Sequence, residues 1–173
     1  MEAAGPDYLN IVAQVLTIGG AAFAFGLGGL GSARGITIAS QQGAGVLREK
    51  PELFGKLLVM IALPGTQGIY GFIIALLVAN KTGVFSGNIN VDATKGIALC
   101  IVCVFAGIVQ FVSAIKQGEA SAAGISLIAR RPEESGRAII FPALVETYAV
   151  VALLAAILFI NALGGVAAPV VAQ

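Results

Sequence analysis

One carboxylate, two amides, a hydroxyl and a phenol are the groups in this chain best able to hold an ion, and all lie in or beside apolar runs. Glu146 is the one acid deep in such a run. Glu2, Asp7, Glu49, Glu52, Asp92, Glu133 and Glu134 fall in expected loops or tails, and Glu119 lies just past the end of another run. A lone ionised carboxylate in hydrocarbon is costly, so an acid placed there marks an ion or proton path. The plainer alternative is a neutral, protonated Glu146 that joins two helices by a hydrogen bond. Thr66, Gln67 and Tyr70 follow Pro64 in a separate apolar run. Threonine offers a hydroxyl oxygen and glutamine an amide oxygen, both suited to a hard cation, while Tyr70 can donate a hydrogen bond to Glu146. Pro64 removes a backbone donor and distorts its helix, which gives a carbonyl such as that of Leu63 a route toward the same place. Thr66 and Tyr70 are four residues apart and share a helical face; Gln67, three before Tyr70, lies on its other flank.

The elements that position these residues follow from composition. The chain has 173 residues, 58% hydrophobic and 11% charged, with mean hydropathy +0.96. A soluble domain carries about 25% charged residues, so lipid is the solvent this composition fits. Four apolar runs, roughly 11–30, 57–79, 96–115 and 138–163, each supply the ~20 residues that cross a hydrocarbon core of about 30 Å. Lipid admits helices or closed barrels, and these runs are too long and too continuously apolar for barrel strands. The expectation is an all-α membrane protein, four transmembrane helices as two tandem hairpins. A cleavable signal needs a basic leading segment, but Glu2 and Asp7 precede the first run and no basic residue comes before Arg34, so the first run reads as a retained helix. Cys100 and Cys103 have C-x-x-C spacing inside the third run, without the soluble fold that such redox chemistry uses; they read as packing residues. The 23 glycines follow no Gly-X-Y period. Segment 19–31 is rich in small residues, which suits either the crowded inner wall of a ring or tight packing within one hairpin pair.

Charge sets the expected topology. Arg34, Arg48, Lys50 and Lys56 lie between or flank the first two runs, and Lys116, Arg130, Arg131 and Arg137 do the same for the last two; only Lys81 and Lys95 belong to the middle connection. The positive-inside rule then places both hairpin loops in the cytoplasm and both termini outside. The implied organisation is a first hairpin at 1–80, an extracytoplasmic connection at 81–92, and a second hairpin at 93–173 that carries the carboxylate. The halves resemble each other: Pro51-Glu52 precedes IALPGTQGIY at 61–70, and Pro132-Glu133 precedes IIFPALVETY at 139–148. Aligning Pro64 with Pro142 also aligns Tyr70 with Tyr148 and sets Gly68 opposite Glu146; segment 35–39 has a rough echo at 124–129. Parallel repeats of this kind build membrane carriers. No proline interrupts the third run before Pro132, so its helix is expected to continue to about Ala129. Gln117 and Glu146 then lie about equally far from the Arg131-Pro132 turn and, at about 1.5 Å rise per residue, share a depth. The third helix would protrude from the membrane, with Lys116 and Glu119 screening each other. The alternative for Gln117 is an exposed loop amide.

A carboxylate can cross lipid only when neutralised, by a proton or by a sodium ion held among several oxygens. Moving one charge across a membrane is worth about 2.3 kcal/mol per 100 mV, so ATP-scale work needs a larger machine. The sequence contains no Gly-x-x-x-x-Gly-Lys-Ser/Thr loop, so any nucleotide chemistry is expected to belong to partners.

Segments LPGTQGIY (63–70), QGEASAAG (117–124), RPEE (131–134) and FPALVETY (141–148) together resemble the proteolipid, or K/c, subunit of V-type and A/V-type rotary ATPases, over essentially the whole chain. More narrowly, the chain is similar to the sodium-translocating bacterial form. That resemblance implies Na+ held by the Leu63 carbonyl, the Thr66 hydroxyl, the Gln67 and Gln117 side-chain oxygens and the Glu146 carboxylate. Tyr70 would close the site by hydrogen-bonding Glu146. It further implies identical copies in a rotor ring within the lipid of the cytoplasmic membrane. A stator membrane subunit would supply two half-channels and an arginine, and central-stalk subunits would meet segments 48–52 and 130–134. No nucleic acid partner is implied. Three rivals remain at this point. One is a proton-translocating ring subunit in which Thr66, Gln67 and Gln117 only support Glu146; another is a small four-helix cation-coupled exporter; the third is a structural pore or adhesion protein.

Overall fold

The computed structural model describes residues 8–89 and 91–165. Helix α1 (Tyr8–Glu49) is followed by a 3-10 turn (Pro51–Leu53), α2 (Phe54–Ala62), a 3-10 turn (Leu63–Gly65) and α3 (Thr66–Lys81). After a further 3-10 turn (Val84–Ser86) come α4 (Ala93–Arg130), a 3-10 turn (Pro132–Glu134), α5 (Ser135–Ala138) and α6 (Ile140–Gly165). These group into four spans long and apolar enough to cross a membrane: Tyr8–Glu49, Pro51–Lys81, Ala93–Arg130 and Pro132–Leu163. The protein is an all-α, multi-pass membrane protein of two hairpins, as its composition requires.

Local chemistry marks the turns. Lys50 (φ −135°, ψ 68°) and Arg131 (φ −137°, ψ 82°) leave the helical region immediately before Pro51 and Pro132, as a residue preceding proline favours. The two hairpins therefore turn in nearly the same way. Between them, Gly83 and Gly87 adopt left-handed φ of 79° and 71°, and the Asp92 carboxylate caps α4 by accepting from the Lys95 N–H at 2.9 Å. Helix α4 runs to Arg130, matching the expected extension past Ile115. Helix α1 differs from the reading of the sequence: it continues for 42 residues through Arg34 to Glu49, about 63 Å at the usual rise. The connection that was expected to hold Arg34 shrinks to Lys50 and a 3-10 turn. The reason is that segment 31–49 contains no proline, and its glycines do not turn the chain; Gly31, Gly35 and Gly43 serve contact instead.

That contact is close. The buried face of α1 includes Ala13, Thr17, Gly20, Ala24, Gly28, Gly31 and Gly35 at three- and four-residue steps. It lies parallel to α4, with Ala13 meeting Gly96, Gly31 meeting Phe111, and Gly35 meeting Gly118. A Cβ on Gly31 would stand 2.6 Å from the Phe111 Cα, and one on Gly118 would stand 2.5 Å from the Gly35 Cα. Gly20, Gly28 and Gly31 of the small stripe are thus used within the subunit, while a Cβ on Gly19, Gly26 or Gly29 would meet nothing within 4 Å, which leaves that face of α1 open to the packing between copies that the sequence also allows.

The outer helices present apolar side chains outward: Phe72, Phe105, Leu144 and Leu158 are all more than half exposed. Gln67, Gln110 and Gln117 are fully buried. Polar inside and apolar outside is the distribution a lipid solvent selects, because buried polar groups there must find partners within the protein.

Candidate functional site

The site is built around the break at Pro64. The 3-10 turn at Leu63–Gly65 brings the Thr66 N–H to the Leu63 carbonyl, and the Thr66 hydroxyl lies 3.2 Å from that carbonyl and 3.3 Å from Gln67 Oε1. Three oxygens from consecutive turns of one helix thus gather at a single point. Gln67 Nε2 donates to Gln117 Oε1 at 2.6 Å and to the Ser113 hydroxyl at 3.4 Å. Gln117 Nε2 in turn donates to the Pro142 carbonyl at 3.1 Å and to Glu146 Oε2 at 3.3 Å. The Tyr70 hydroxyl donates to Glu146 Oε1 at 2.7 Å. Leu63, Thr66, Gln67, Gln117, Glu146 and Tyr70, singled out from the sequence, therefore converge on one place across three spans, with hydrogen bonds running from Gln67 through Gln117 and Glu146 to Tyr70.

Burial grades along that chain. Gln67 and Gln117 are fully enclosed, whereas Thr66, Tyr70 and Glu146 are half-buried. Tyr148, two residues beyond the carboxylate, is 75% exposed, so the site sits just beneath the apolar surface. Among the described residues Glu146 has no ion-pair partner; the ion pairs are Lys116–Glu119 at 2.9 Å and Arg137–Glu134 at 3.0 Å, both on the exterior. No group of three or more His, Cys, Asp or Glu occurs among the described residues. One carboxylate with neutral carbonyl, amide and hydroxyl oxygens is a donor set for a hard cation, not for a soft transition metal. Cys100 and Cys103 are both free thiols, packed beside Gly20.

Two residues near the site were not anticipated. Gln110 Nε2 donates to the Ala149 carbonyl at 3.0 Å, and the Ser113 hydroxyl donates to the Val145 carbonyl at 3.3 Å. Gln110 stands two helical turns from Gln117 on the same face of α4, a spacing visible in the sequence once α4 is known to be continuous. In the first hairpin, Ser32 accepts a hydrogen bond from the Gly68 N–H at 2.8 Å. Ser32 and Ser113 each stand nineteen residues before their turn proline, Pro51 or Pro132.

Comparison with known proteins agrees with this architecture. The ATP synthase C-subunit family matches residues 19–78 and 96–159, one segment in each hairpin. The V-type sodium ATPase subunit K of Enterococcus hirae is 39% identical over 122 residues, which is 70% of this chain and 75% of that protein. The A-type ATP synthase subunit K of Methanocaldococcus jannaschii is 40% identical over 141 residues, covering 82% of this chain and 60% of the longer archaeal protein. With both hairpins matched and two K-type relatives aligned across most of its length, the chain belongs to the ATP synthase C-subunit family, among the K-type membrane proteolipids of V- and A-type ATPases.

Proposed function

We propose that this chain is a rotor-ring subunit that carries Na+ across the membrane, one ion per copy, by reversible binding at Glu146. The observation that carries this reading is the hydrogen-bonded run from Gln67 through Gln117 and Glu146 to Tyr70, with the Thr66 hydroxyl 3.3 Å from the Gln67 oxygen and 3.2 Å from the Leu63 carbonyl, and Glu146 as the one charge. The sodium specificity named for the Enterococcus hirae relative supports it. An arriving ion would take the Leu63 carbonyl, the Thr66 hydroxyl, the Gln67 and Gln117 side-chain oxygens and a Glu146 oxygen. The Gln117 oxygen is held by Gln67 Nε2 at 2.6 Å, so binding requires that bond to open and the two amides to turn. Tyr70 then keeps its hold on Glu146 Oε1 and closes the site toward lipid.

Charge accounts for the cycle. A bound cation neutralises Glu146, and the neutral site faces lipid without the cost of a bare carboxylate. The empty carboxylate needs water or a positive partner, which is the role of an arginine and two half-channels on a stator subunit. Identical copies around a ring move the ion from one half-channel to the other. Central-stalk subunits engage the basic turns at 48–52 and 130–134, which face the cytoplasm, and both termini face outward. ATP is hydrolysed or made elsewhere in the complex. Segments 1–80 and 93–173 act as two hairpin repeats, of which only the second bears the carboxylate.

The test is carbodiimide modification of Glu146 in the purified assembled protein, across pH, with and without sodium. Only the protonated carboxyl reacts readily. Saturable protection by sodium that weakens in Thr66→Ala or Gln117→Ala supports a sodium site. A rate that follows pH alone makes this a proton carrier, with Thr66, Gln67 and Gln117 as supporting hydrogen-bonders.

A further inference from the structure

We infer that Gln110, outside the proposed ligand shell, is a positioning residue that holds the Glu146-bearing helix in register against α4. The inference rests on the proposed cation site and concerns what keeps it in shape.

Three side chains on one face of α4 donate to three main-chain carbonyls on one face of α6: Gln110 to Ala149 at 3.0 Å, Ser113 to Val145 at 3.3 Å and Gln117 to Pro142 at 3.1 Å. Donors and acceptors step in opposite directions, as an antiparallel pair must, and the three rungs mesh at one register. Glu146 lies within the stretch they clamp. The Pro142 carbonyl is four residues before it, on the same strip of helix backbone. A slip of α6 by one residue moves it about 1.5 Å and turns it about 100°, which carries the carboxylate away from Tyr70 and Gln117 together.

Leu99, Cys103 and Ala106 of α4 share a buried apolar cluster with Leu153, Ala156 and Ile160 of α6, but beside the rungs this packing is incomplete. An apolar groove of about 370 Å³, lined in part by Val109, Val112, Val145 and Tyr148, runs along one side of the seam. Between helices in lipid no hydrophobic force substitutes for the missing contact, so interhelical hydrogen bonds and close packing set the register. Gln110 is fully buried, and its Oε1 has no hydrogen-bond partner among the described residues. A buried amide with one end unpartnered is a poor stabiliser; its engaged donor end is what the α4–α6 seam uses. The matching position of the first hairpin, twenty-two residues before the turn proline, is Gly29. There a Cβ on Gly68 would stand 3.5 Å from the Gly29 Cα, an ordinary contact, while a Cβ on Gly29 itself would meet nothing within 4 Å. The rung occurs on the seam with the carboxylate and not on the seam without it.

Gln110→Met keeps the bulk, removes the donor and also removes the unpartnered oxygen. A role in stability alone predicts a change in thermal stability with sodium affinity unmoved; the positioning role predicts the reverse. In the assembled protein, Gln110→Met is expected to keep wild-type thermal stability while the sodium concentration that half-protects Glu146 from carbodiimide rises roughly three- to tenfold. The pH profile of modification without sodium is expected to depart from wild type as well. Coincident sodium and pH curves for the variant and wild type overturn the inference, as does an affinity loss that only tracks loss of the fold. If Gln110→Met does not assemble, Ser113→Ala removes the neighbouring rung and is judged by the same curves. If wild type itself shows no sodium protection, the sodium reading fails separately, and the sodium-free pH profile alone decides whether Gln110 positions Glu146.

Discussion

Helices α1 and α3 meet backbone to backbone, whereas α4 and α6 meet through side chains. On the first seam a Cβ at Gly28 would stand 2.7 Å from the Gln67 carbonyl oxygen, and one at Gly71 would strike the backbone of Ala24. On the second seam Gln110, Ser113 and Gln117 span the gap to carbonyls of α6. Gly68 and Glu146 occupy matching places after Pro64 and Pro142, so the difference in seam is also a difference in what the position can hold. Where the helices touch at Gly68, a carboxylate has no room. Where side chains span the gap, the same position holds the carboxylate. The first half is held by close contact and lends the Leu63, Thr66 and Gln67 oxygens to the candidate site, while the second half places the carboxylate.

The largest expected effect comes from removing the charge. Glu146→Gln is expected to abolish ion-dependent turnover of the assembled complex while leaving the subunit folded, because the amide still accepts from Tyr70. Ion uptake into vesicles measures it; retained transport would remove the distinction between the halves and point to a structural pore.

Next comes steric intrusion into the glycine seam. Gly71 and Ala149 match by the same alignment. Gly71→Ala puts a methyl against the Ala24 backbone, and overpacking of this kind costs roughly 1–3 kcal/mol. The reverse change, Ala149→Gly, is expected to be milder, since the α4–α6 seam is held by rungs. Thermal melting of the purified protein compares them, and equal losses would erase the proposed difference between contact and ladder.

Loss of an amide from the site ranks third. Gln117→Leu removes an oxygen from the proposed ligand set, a donor from Glu146 and the acceptor of Gln67 Nε2. Leaving such a group unpaired costs about 1–3 kcal/mol, or roughly ten- to a hundredfold in sodium affinity. The sodium dependence of Glu146 modification reads it directly, and an unchanged midpoint excludes Gln117 from the ligand set.

Much of this was legible before any coordinates. Four runs of uninterrupted hydropathy define the spans, and one acid among apolar residues defines the site, because both are large transfer energies written residue by residue. The placement of Gln117 beside Glu146 came from counting helix rise from a proline turn. Gln110 was not legible in the same way: a single amide in an apolar run has no signal until the register of two helices is known. The length of α1 was missed because Arg34 ends a hydropathy window without ending a helix. The destination of the glycine stripe was open for a similar reason. Small residues permit close approach but do not name the helix that approaches.

The smallest expected effect is the control that sharpens the comparison most. Ser32 and Ser113 stand at the same distance from their turn prolines, yet Ser32 accepts from the Gly68 N–H at 2.8 Å while Ser113 donates to the Val145 carbonyl at 3.3 Å. Ser32→Ala deletes a hydrogen bond on the seam without a carboxylate, worth about 0.5–1.5 kcal/mol. Close glycine contact holds that seam independently, so thermal stability should fall slightly and the sodium dependence of Glu146 modification should not move. Ser113→Ala should move the sodium dependence. If both serines act alike on sodium affinity, the two seams are one mechanical unit and the anchoring half shares in shaping the site. If only Ser113 does, the register of α6 is set on its own side of the molecule, and α1 and α3 contribute the ligand-bearing helix without steering the acid.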